Sequence, residues 1–297
     1  NVGSEREHKG HRIHAYPAKF PAFITQKAIQ YSQNNGINIK CVADIFCGCG
    51  TVALEAKRLG IDFWGCDLNP TAVLIAKAKS NTYIKTKIDV YYKAIIDYYD
   101  KMHSIYVLRD EVNERLLYWF YPQEIHDLSL LKSSILRAVP KGSKYRYFFL
   151  CAFSNILKPT SRWLTKSIKP QVDPEKKPIQ VRLAFTNQCN IMKVALLNDN
   201  GNLPPAKTVI ECRNALKLQK GPFADLIITS PPYVTSYEYA DLHQLSTLWL
   251  EYADDYRDLR QDSIGSMHGN YIVDDFEQLN KSGRKIDLEV DGGITID

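Results

Sequence analysis

Several features are missing from this 297-residue sequence, and each absence excludes a class of protein. Apolar runs never approach the roughly 18 residues needed to cross a bilayer, which excludes a membrane-spanning helix and a membrane partner. The seven cysteines contain no C-x-x-C pair, and their odd number and apolar neighbours indicate buried thiols, not disulfides. Cys47 and Cys49 alone offer too few ligands for zinc, so we predict no metal site. No signal-peptide pattern follows Asn1, so we expect a cytoplasmic protein.

Charge is unevenly distributed along a chain of otherwise ordinary globular composition. The net charge of +5 combines a basic block at 132–182, with twelve Lys and Arg against two acidic residues, and an acidic tail at 251–297. Aromatic residues are interleaved with the basic block: Tyr145, Tyr147, Phe148, Phe149 and Trp163. Cations beside rings suit a nucleic-acid surface, although a solvated basic face over an apolar core explains the pattern equally well.

Two consecutive strand–helix units are predicted near the start of the chain. The apolar run at 40–47 ends in glycines and is typical of a buried strand, and helical spacing follows at 51–60. A second strand is predicted at 62–68, followed by a helix at 69–80 that opens with Asn69 as N-cap. This alternation indicates a parallel α/β sheet.

The sheet resumes only after a long interruption. Helical spacing dominates 81–165, and the Pro-rich stretch at 166–206 is predicted to be mostly loop. Strand patterns return at 208–212 and 224–230. A helix at 243–252 and a hairpin formed by 285–290 and 292–297 complete the predicted elements. The helical, basic region is therefore an insertion between two halves of one sheet.

Glycines and acidic residues follow the first two strands. Gly48 and Gly50 come directly after the first strand, where small residues allow a ligand to approach the backbone. Asp67 ends the second strand, where a carboxylate can accept the hydroxyls of a ribose. The pattern predicts a nucleotide-type ligand; a bare βα turn is the alternative, and Ala53 in place of a third glycine disfavours NAD without excluding it.

A rigid loop follows the fourth predicted strand. Ser230 precedes Pro231 and Pro232, which lack backbone donors and stiffen the chain, and Tyr233 follows them. Carbonyl and hydroxyl oxygens at such a loop can accept hydrogen bonds from an amino group, while the ring can stack on a flat base. Tyr233 as a packing residue is the alternative.

These two loops together resemble the motifs of the amino-methyltransferases that methylate exocyclic amines of DNA bases using S-adenosylmethionine. The motifs read FCGCG at 46–50 and SPPY at 230–233, and HAYPAKFP at 14–21 is similar to the family's N-terminal motif. The resemblance implies an α/β fold with a doubly wound, mostly parallel Rossmann-like methyltransferase sheet and a helical, basic insertion between strands 2 and 3. It also implies a cofactor site formed by Tyr16, Pro17, Lys19, Asp44, Phe46, Gly48, Gly50, Thr51, Asp67, Leu68, Asn69 and Asn214.

The resemblance further implies a reaction on a base that has left the duplex. Catalytic roles fall on Ser230, Pro231, Pro232 and Tyr233, with the serine hydroxyl and the Pro231 carbonyl accepting the amine protons. Ser in the first position is the family's usual sign for cytosine N4, in a restriction–modification or phage-defence enzyme. Adenine-N6 methylation, RNA base methylation and a catalytically silent DNA-binding subunit remain alternatives.

Double-stranded DNA is the expected partner. The candidate contacts are Arg146, Arg162, Lys166, Lys169 and His243. Arg162 and Lys166 would share one face if they lay on a helix, and His243 follows the SPPY loop on a predicted helix; a solvated face and a packing histidine are the alternatives. His11 and His14 either border the cofactor or belong to a flexible basic N-terminus. Asp241, like His243, either contacts the target base or DNA or is a packing residue.

Three regions are predicted along the chain. Residues 1–95 form the cofactor-binding half of the methyltransferase domain, 96–206 the DNA-recognition insertion, and 207–297 the half that carries the SPPY loop. Only four strong strands precede the terminal hairpin, whereas the family's sheet has seven strands. Such a sheet would expose strand edges, so we expect it to be completed by residues outside the sequence or by a second chain.

Overall fold

The computed structural model of the chain describes residues 7–17, 19–108, 112–197, 203–218, 223–231, 238–260, 286–288 and 294–296. The strands are β1 (Cys41–Asp44), β2 (Asp62–Asp67), β3 (Thr208–Cys212), β4 (Leu226–Ile227), β5 (Ile286–Leu288) and β6 (Ile294–Ile296). The helices are α1 (Ala22–Asn34), α2 (Thr51–Arg58), α3 (Pro70–Ser80), α4 (Lys85–Met102), α5 (Glu114–Trp119), α6 (Pro122–Ala138), α7 (Lys144–Ile156), α8 (Val181–Leu197), α9 (Tyr239–Leu242) and α10 (Gln244–Trp249).

Strands β1 to β4 form one parallel sheet in the order β3-β2-β1-β4. The chain adds β2 and β3 on one side of β1 and then crosses to its other side for β4, so the strand order reverses between β1 and β4. At such a point the connections leave the two strands in opposite directions, which opens a crevice at their carboxyl ends. The predicted α/β fold with a parallel sheet is confirmed.

The glycine-rich turn and the caps of α3 form as the sequence predicts. Asn69 accepts hydrogen bonds from the backbone N–H groups of Thr71 (2.9 Å) and Ala72, and Pro70 is the first helical residue. Strand β1 ends three residues earlier than predicted, because the Asp44 side chain accepts the N–H of Phe46 and turns the chain toward the glycines. The terminal strands β5 and β6 pair antiparallel, as predicted.

Two buried clusters make up the core of the described residues. The sheet cluster joins strand residues such as Val42, Phe63 and Ile210 to α1, α2 and α3. The helical cluster extends from α3 through α4 to α8 and reaches Leu245 and Trp249 on α10. The inserted helices therefore pack directly against the sheet-bearing half through α3. No helix in the described ranges is long and apolar enough to span a bilayer.

The loop prediction for 166–206 is wrong in its second half, where α8 lies. Pro170, Pro174 and Pro178 keep the first half irregular, and α8 begins three residues after the last proline. The buried residues of α8 recur at helical spacing: Val181, Ala184, Phe185, Gln188, Cys189, Met192, Ala195 and Leu196. Averaging a proline-rich segment with a helical one concealed this periodicity.

The helical spacing predicted up to residue 165 does not extend to Arg162, so the condition under which Arg162 and Lys166 would share a face is not met. Helix α7 ends at Ile156, and Pro159 follows shortly after it, which prevents the helix from continuing. Arg162 and Lys166 lie in the irregular segment that follows. The last turn of α7 is closed by Thr160, whose hydroxyl donates to the Ile156 carbonyl at 2.8 Å. Helical spacing therefore gives these two cations no common face.

The aromatic residues of the basic block do not form a base-stacking surface. Phe148 and Phe149 are fully buried, and Tyr145 and Trp163 are nearly so. Trp163 stacks on Trp119 with ring centroids 4.9 Å apart, and Phe149 lies against Phe185 of α8. Of the two interpretations that the charge pattern left open, the apolar core explains these rings; Tyr147 alone is partly exposed.

Candidate active site

The two motif loops meet at the crevice between β1 and β4. Ala43 pairs with Ile227 across these strands, so the residues that follow each strand emerge side by side. The Thr229 hydroxyl donates a hydrogen bond of 2.7 Å to Oδ1 of Asp44. The same carboxylate oxygen accepts the backbone N–H of Phe46 at 3.1 Å. Asp44 therefore fastens the loop that carries Ser230 to the loop that carries the glycines.

The end of β2 holds the glycine loop in place. The Gly48 N–H donates to Oδ2 of Asp67 at 2.8 Å, and the Cys47 N–H donates to the Cys66 carbonyl at 2.9 Å. Gly48 has a φ of +48°, a conformation that residues with a side chain rarely adopt. The group nearest to a Cβ atom built at Gly48 would be the Tyr16 ring, 3.8 Å away, so the space beside Gly48 is open to a ligand.

Gly50 has a packing role. Its φ is +76°, and a Cβ atom there would lie 2.7 Å from the Cβ of Ala76 on α3. It begins α2 and lets α2 approach α3 closely. Gly50 does not line the pocket described below, and its contact with the cofactor stays a prediction.

A pocket at this edge of the sheet brings together most of the residues predicted for the cofactor and for catalysis. Among them are Tyr16, Lys19, Asp44, Phe46, Gly48, Thr51, Asp67, Leu68, Asn69, Asn214, Ser230 and Pro231. Pro17 lies beside this set without lining the pocket, and Pro232 and Tyr233 lie outside the described residues. The lining joins segments that are far apart in sequence, as expected for the carboxyl edge of a parallel sheet.

The pocket contains two acidic side chains whose ionisation is disfavoured by their surroundings. Burial raises the pKa of Asp44 to about 7, against the opposing hydrogen bonds from Thr229 and Phe46. Burial also raises the pKa of Asp67, against the backbone N–H groups of Asn69 and Gly48. A positively charged ligand would favour the ionised form of both, and the hydroxyls of a ribose could donate to their remaining lone pairs.

A stacked ring pair supports another wall of the pocket, which Tyr16 lines. Tyr16 stacks on His243 with centroids 4.9 Å apart, and burial raises the pKa of Tyr16 well above its usual range. Burial lowers the pKa of His243 to about 4, so this imidazole is neutral near pH 7. His243 is only 4% exposed and lies between α9 and α10. The structure therefore places it behind the pocket wall, and the predicted contact of His243 with DNA is not supported by its position.

The N-terminal segment is docked against the domain, which corrects the interpretation of a flexible basic arm. His11 is buried and its Nε2 lies 2.7 Å from Oε1 of Glu55 on α2. His14 Nε2 lies 2.9 Å from the Ser154 hydroxyl on α7, and burial lowers the pKa of His14 to about 3. Both histidines thus anchor the segment that carries Tyr16 and Lys19 to the pocket.

The pocket has the donors and acceptors that S-adenosylmethionine needs. Asp44 and Asp67 complement its positive charge and ribose hydroxyls, and the Lys19 ammonium can pair with its carboxylate. Asn214 accepts the N–H of Leu216 at 2.9 Å through its side-chain carbonyl, so its amide N–H₂ is the group it can offer to an adenine ring. These residues fit the cofactor.

The sequence did not single out several other residues that line this pocket: Phe20, Ile45, Cys47, Cys49, Arg213, Ala215, Tyr239, Ala240 and Leu259. Most are neighbours of predicted residues. Tyr239 and Ala240 belong to α9, which precedes the helix predicted at 243–252; α10 lies within that predicted range. Leu259 lies in the acidic tail, where no sequence signal pointed to the site. Asp241, on the same short helix, pairs with Arg260.

The basic block divides into structural and exposed cations. Arg146 donates to the carbonyls of Leu136 (2.7 Å) and Val139. Arg162 lies over the ring of Tyr121, and its Nε is buried without a hydrogen-bond partner among the described residues. Lys166 and Lys169 are exposed. Neither lysine forms a salt bridge with another residue in the described part of the chain, so of the four cations predicted to contact DNA these two are the ones available for phosphates.

Comparisons with known proteins agree with the geometry of the pocket. Residues 1–78 match a family model described as DNA methylase, of the N6/N4 type. The chain is also 29% identical over 306 residues to the type II methyltransferase M.MvaI of Kocuria varians. That match covers 93% of this chain and 66% of the relative, so the chain spans just under two thirds of the protein it matches. The resemblance predicted from the motifs is confirmed at the level of the family.

Proposed function

Because this chain is related to the N6/N4 DNA methylases, we propose that it transfers a methyl group from S-adenosylmethionine to the N4 amine of a cytosine extruded from duplex DNA. One observation carries the proposal: Gly48 and Ser230 line the same pocket, and the Thr229–Asp44 hydrogen bond joins their loops. A site for a methyl donor and a site for an acceptor amine are thereby contiguous.

Each side of the pocket has a separate task. When bound, S-adenosylmethionine supplies a methyl group already activated by its sulfonium. Asp67 accepts the ribose hydroxyls, Asn214 contacts the adenine ring, and Lys19 pairs with the carboxylate. Asp44 offers a negative charge at the junction of the two loops, where the positive charge of the donor is expected.

The acceptor side is formed by the proline-rich loop. The exocyclic amine is a poor nucleophile because its lone pair is delocalised into the ring. The Ser230 hydroxyl and the Pro231 carbonyl would accept hydrogen bonds from its two N–H groups, which directs the lone pair toward the methyl group. The methylated nitrogen then releases one proton to water. Tyr233 stacks on the everted base. Since the donor is already activated, alignment and electrostatics are the main contributions of the chain.

Adenine N6 is the second candidate acceptor, because both amines require the same two hydrogen-bond acceptors. Ser230 in the first position of the motif favours cytosine. Labelled methyl transfer to duplex DNA, followed by nucleoside analysis, tests both: N4-methylcytosine supports the proposal, and N6-methyladenine replaces it with the alternative. Absence of transfer by a protein that binds the cofactor would indicate a DNA-binding subunit without activity.

Exposed lysines of the basic block suggest how the protein contacts DNA. Lys166 and Lys169 bind backbone phosphates, in a cytoplasmic restriction–modification enzyme.

Within the described residues β4 pairs with β1 alone, so its outer edge has room for another strand. That strand comes from sequence beyond the part described or from a second chain. Light scattering of the DNA-free protein distinguishes a monomer from a dimer.

A further inference from the structure

A cluster of potential metal ligands lies at the junction of α4 and α6. His103 follows the last residue of α4, and His126 and Asp127 lie in the second turn of α6. Nε2 of His103 is 3.0 Å from Oδ1 of Asp127, and Nδ1 of His126 is 3.1 Å from the same oxygen. One ligand atom from each residue lies within 4.8 Å of the other two. None of these residues lines the candidate active site.

The hydrogen bonds around Asp127 do not balance when the His126 ring is neutral and no ion is bound. Nε2 of His126 lies 3.1 Å from the Tyr106 carbonyl, which can only accept, so the ring must donate its proton there. The other nitrogen of a neutral imidazole is then a lone pair, and it faces the carboxylate of Asp127 at 3.1 Å. Two acceptors at this distance require a proton or a metal ion between them.

The spacing fits ligands that share one ion. Nitrogen and oxygen ligands lie about 2.0–2.2 Å from zinc, so two ligands that subtend 90–110° are about 3.0–3.5 Å apart. Both distances from Asp127 to the histidines fall in this range. The bond from His126 to the Tyr106 carbonyl fixes the tautomer that leaves Nδ1 as a ligand, and Gln123 donates to Asp127 at 2.9 Å. Such outer bonds commonly orient metal-binding histidines and carboxylates.

The cluster is also accessible from solvent. The His103 side chain is 45% exposed and the Asp127 side chain 9%, so an ion can enter from the His103 side and keep water in its remaining positions. Two imidazoles and one carboxylate favour Zn²⁺, Co²⁺ or Ni²⁺, whereas Mg²⁺ and Ca²⁺ prefer oxygen ligands alone.

We propose that His103, His126 and Asp127 bind one divalent transition-metal ion that fastens the end of α4 to α6. Sequence analysis predicted no metal site, because His103 is 24 residues before Asp127 and lacks any recognisable ligand spacing. The ion stabilises the helical cluster and takes no part in methyl transfer. A ligand that binds only the folded chain raises its melting temperature in proportion to the logarithm of its concentration.

Cobalt titration of the tag-free, metal-stripped protein tests the proposal. The expected result is one equivalent of bound Co²⁺ with a visible d–d absorption that Zn²⁺ abolishes. His103→Gln and His126→Gln should each weaken binding by at least about tenfold, because each removes a ligand. Asp97→Asn is the matched control: it removes an exposed carboxylate from α4, paired with Lys93, and should leave binding unchanged.

Thermal melting provides a second readout. Zn²⁺ at about 100 times its dissociation constant for the wild type should raise the melting temperature of the wild type by about 5 °C and that of the two histidine variants by about half as much or less. His103 is exposed, so His103→Gln keeps the test valid even if His126→Gln does not fold. Three results would overturn the proposal: no binding, binding that survives both substitutions, or a thiolate charge-transfer band, which would assign the metal to cysteine.

Discussion

Replacing Asp44 with asparagine should remove the loss of folding stability that the wild type shows as the pH rises. Asp44 is 4% exposed, and burial raises its pKa to about 7, whereas the unfolded chain has the ordinary value of 3.8. Between these two values the folded state holds a proton that the unfolded state has released. Stability of the wild type therefore falls as the pH rises through this range, and asparagine removes the effect.

The size of the effect follows from the difference between the two pKa values. About three pH units at 1.36 kcal/mol each give up to about 4 kcal/mol, accumulated between pH 4 and pH 7 and constant above it. Asparagine keeps an oxygen to accept from Thr229 and Phe46, but its new N–H₂ costs about 1–3 kcal/mol if it finds no partner. The quantity to measure is therefore the difference in unfolding free energy between variant and wild type, and how much this difference changes from pH 4 to pH 8.

Urea unfolding of both proteins without cofactor, at intervals from pH 4 to pH 8, gives this quantity. The variant should gain on the wild type by up to about 4 kcal/mol as the pH rises. Asp225→Asn is the control of opposite sign, because the backbone N–H groups of Cys41 and Lys40 lower the pKa of Asp225. In measurements extended below pH 4, this variant should lose stability relative to the wild type as the pH rises toward 3.8, and from pH 4 to pH 8 the difference should stay flat. A difference between Asp44→Asn and wild type that is flat with pH would refute the reasoning.

Two further predictions concern packing and DNA. Gly50→Ala should lower the free energy of unfolding by about 1–3 kcal/mol more than Gly142→Ala does. Both positions have positive φ, but only a Cβ atom at Gly50 would lie 2.7 Å from Ala76. Equal losses of stability in urea unfolding would contradict the clash. Replacing Lys166 and Lys169 with alanine should reduce the slope of log K against log salt for duplex DNA by roughly 2, while Lys93→Ala leaves it unchanged; an unchanged slope in the double variant would place the phosphates elsewhere.

The strands of the sheet and the helices between them were predictable because residues close in sequence mark where these elements begin and end. The glycines lie in the turn after β1, Asn69 and Pro70 begin α3, and β3 matches its predicted range residue for residue. Helix α8 was missed because three prolines precede it within one polar stretch. The rings of the basic block were ambiguous for a different reason: Phe149 is buried against Phe185, a contact that no local pattern describes.

The candidate site was predictable to the extent that it lies at strand ends. Parallel strands bring their carboxyl ends to one edge, so residues after β1, β2 and β4 were expected together, and the pocket contains them. The stacking of Tyr16 on His243 could not be predicted, because it depends on how the N-terminal segment docks against α10. Likewise, which cations of the basic block donate to carbonyls depends on where the helices end.

The most direct test of the central claim is single-turnover methyl transfer by Ser230→Ala, measured together with its affinity for S-adenosylmethionine. If Ser230 accepts a hydrogen bond from the target amine beside a separately built donor site, the rate should fall by about 100-fold or more while the dissociation constant of the cofactor changes less than about threefold. A rate within a few-fold of wild type, with cofactor bound, would contradict the claim that this loop acts on the amine.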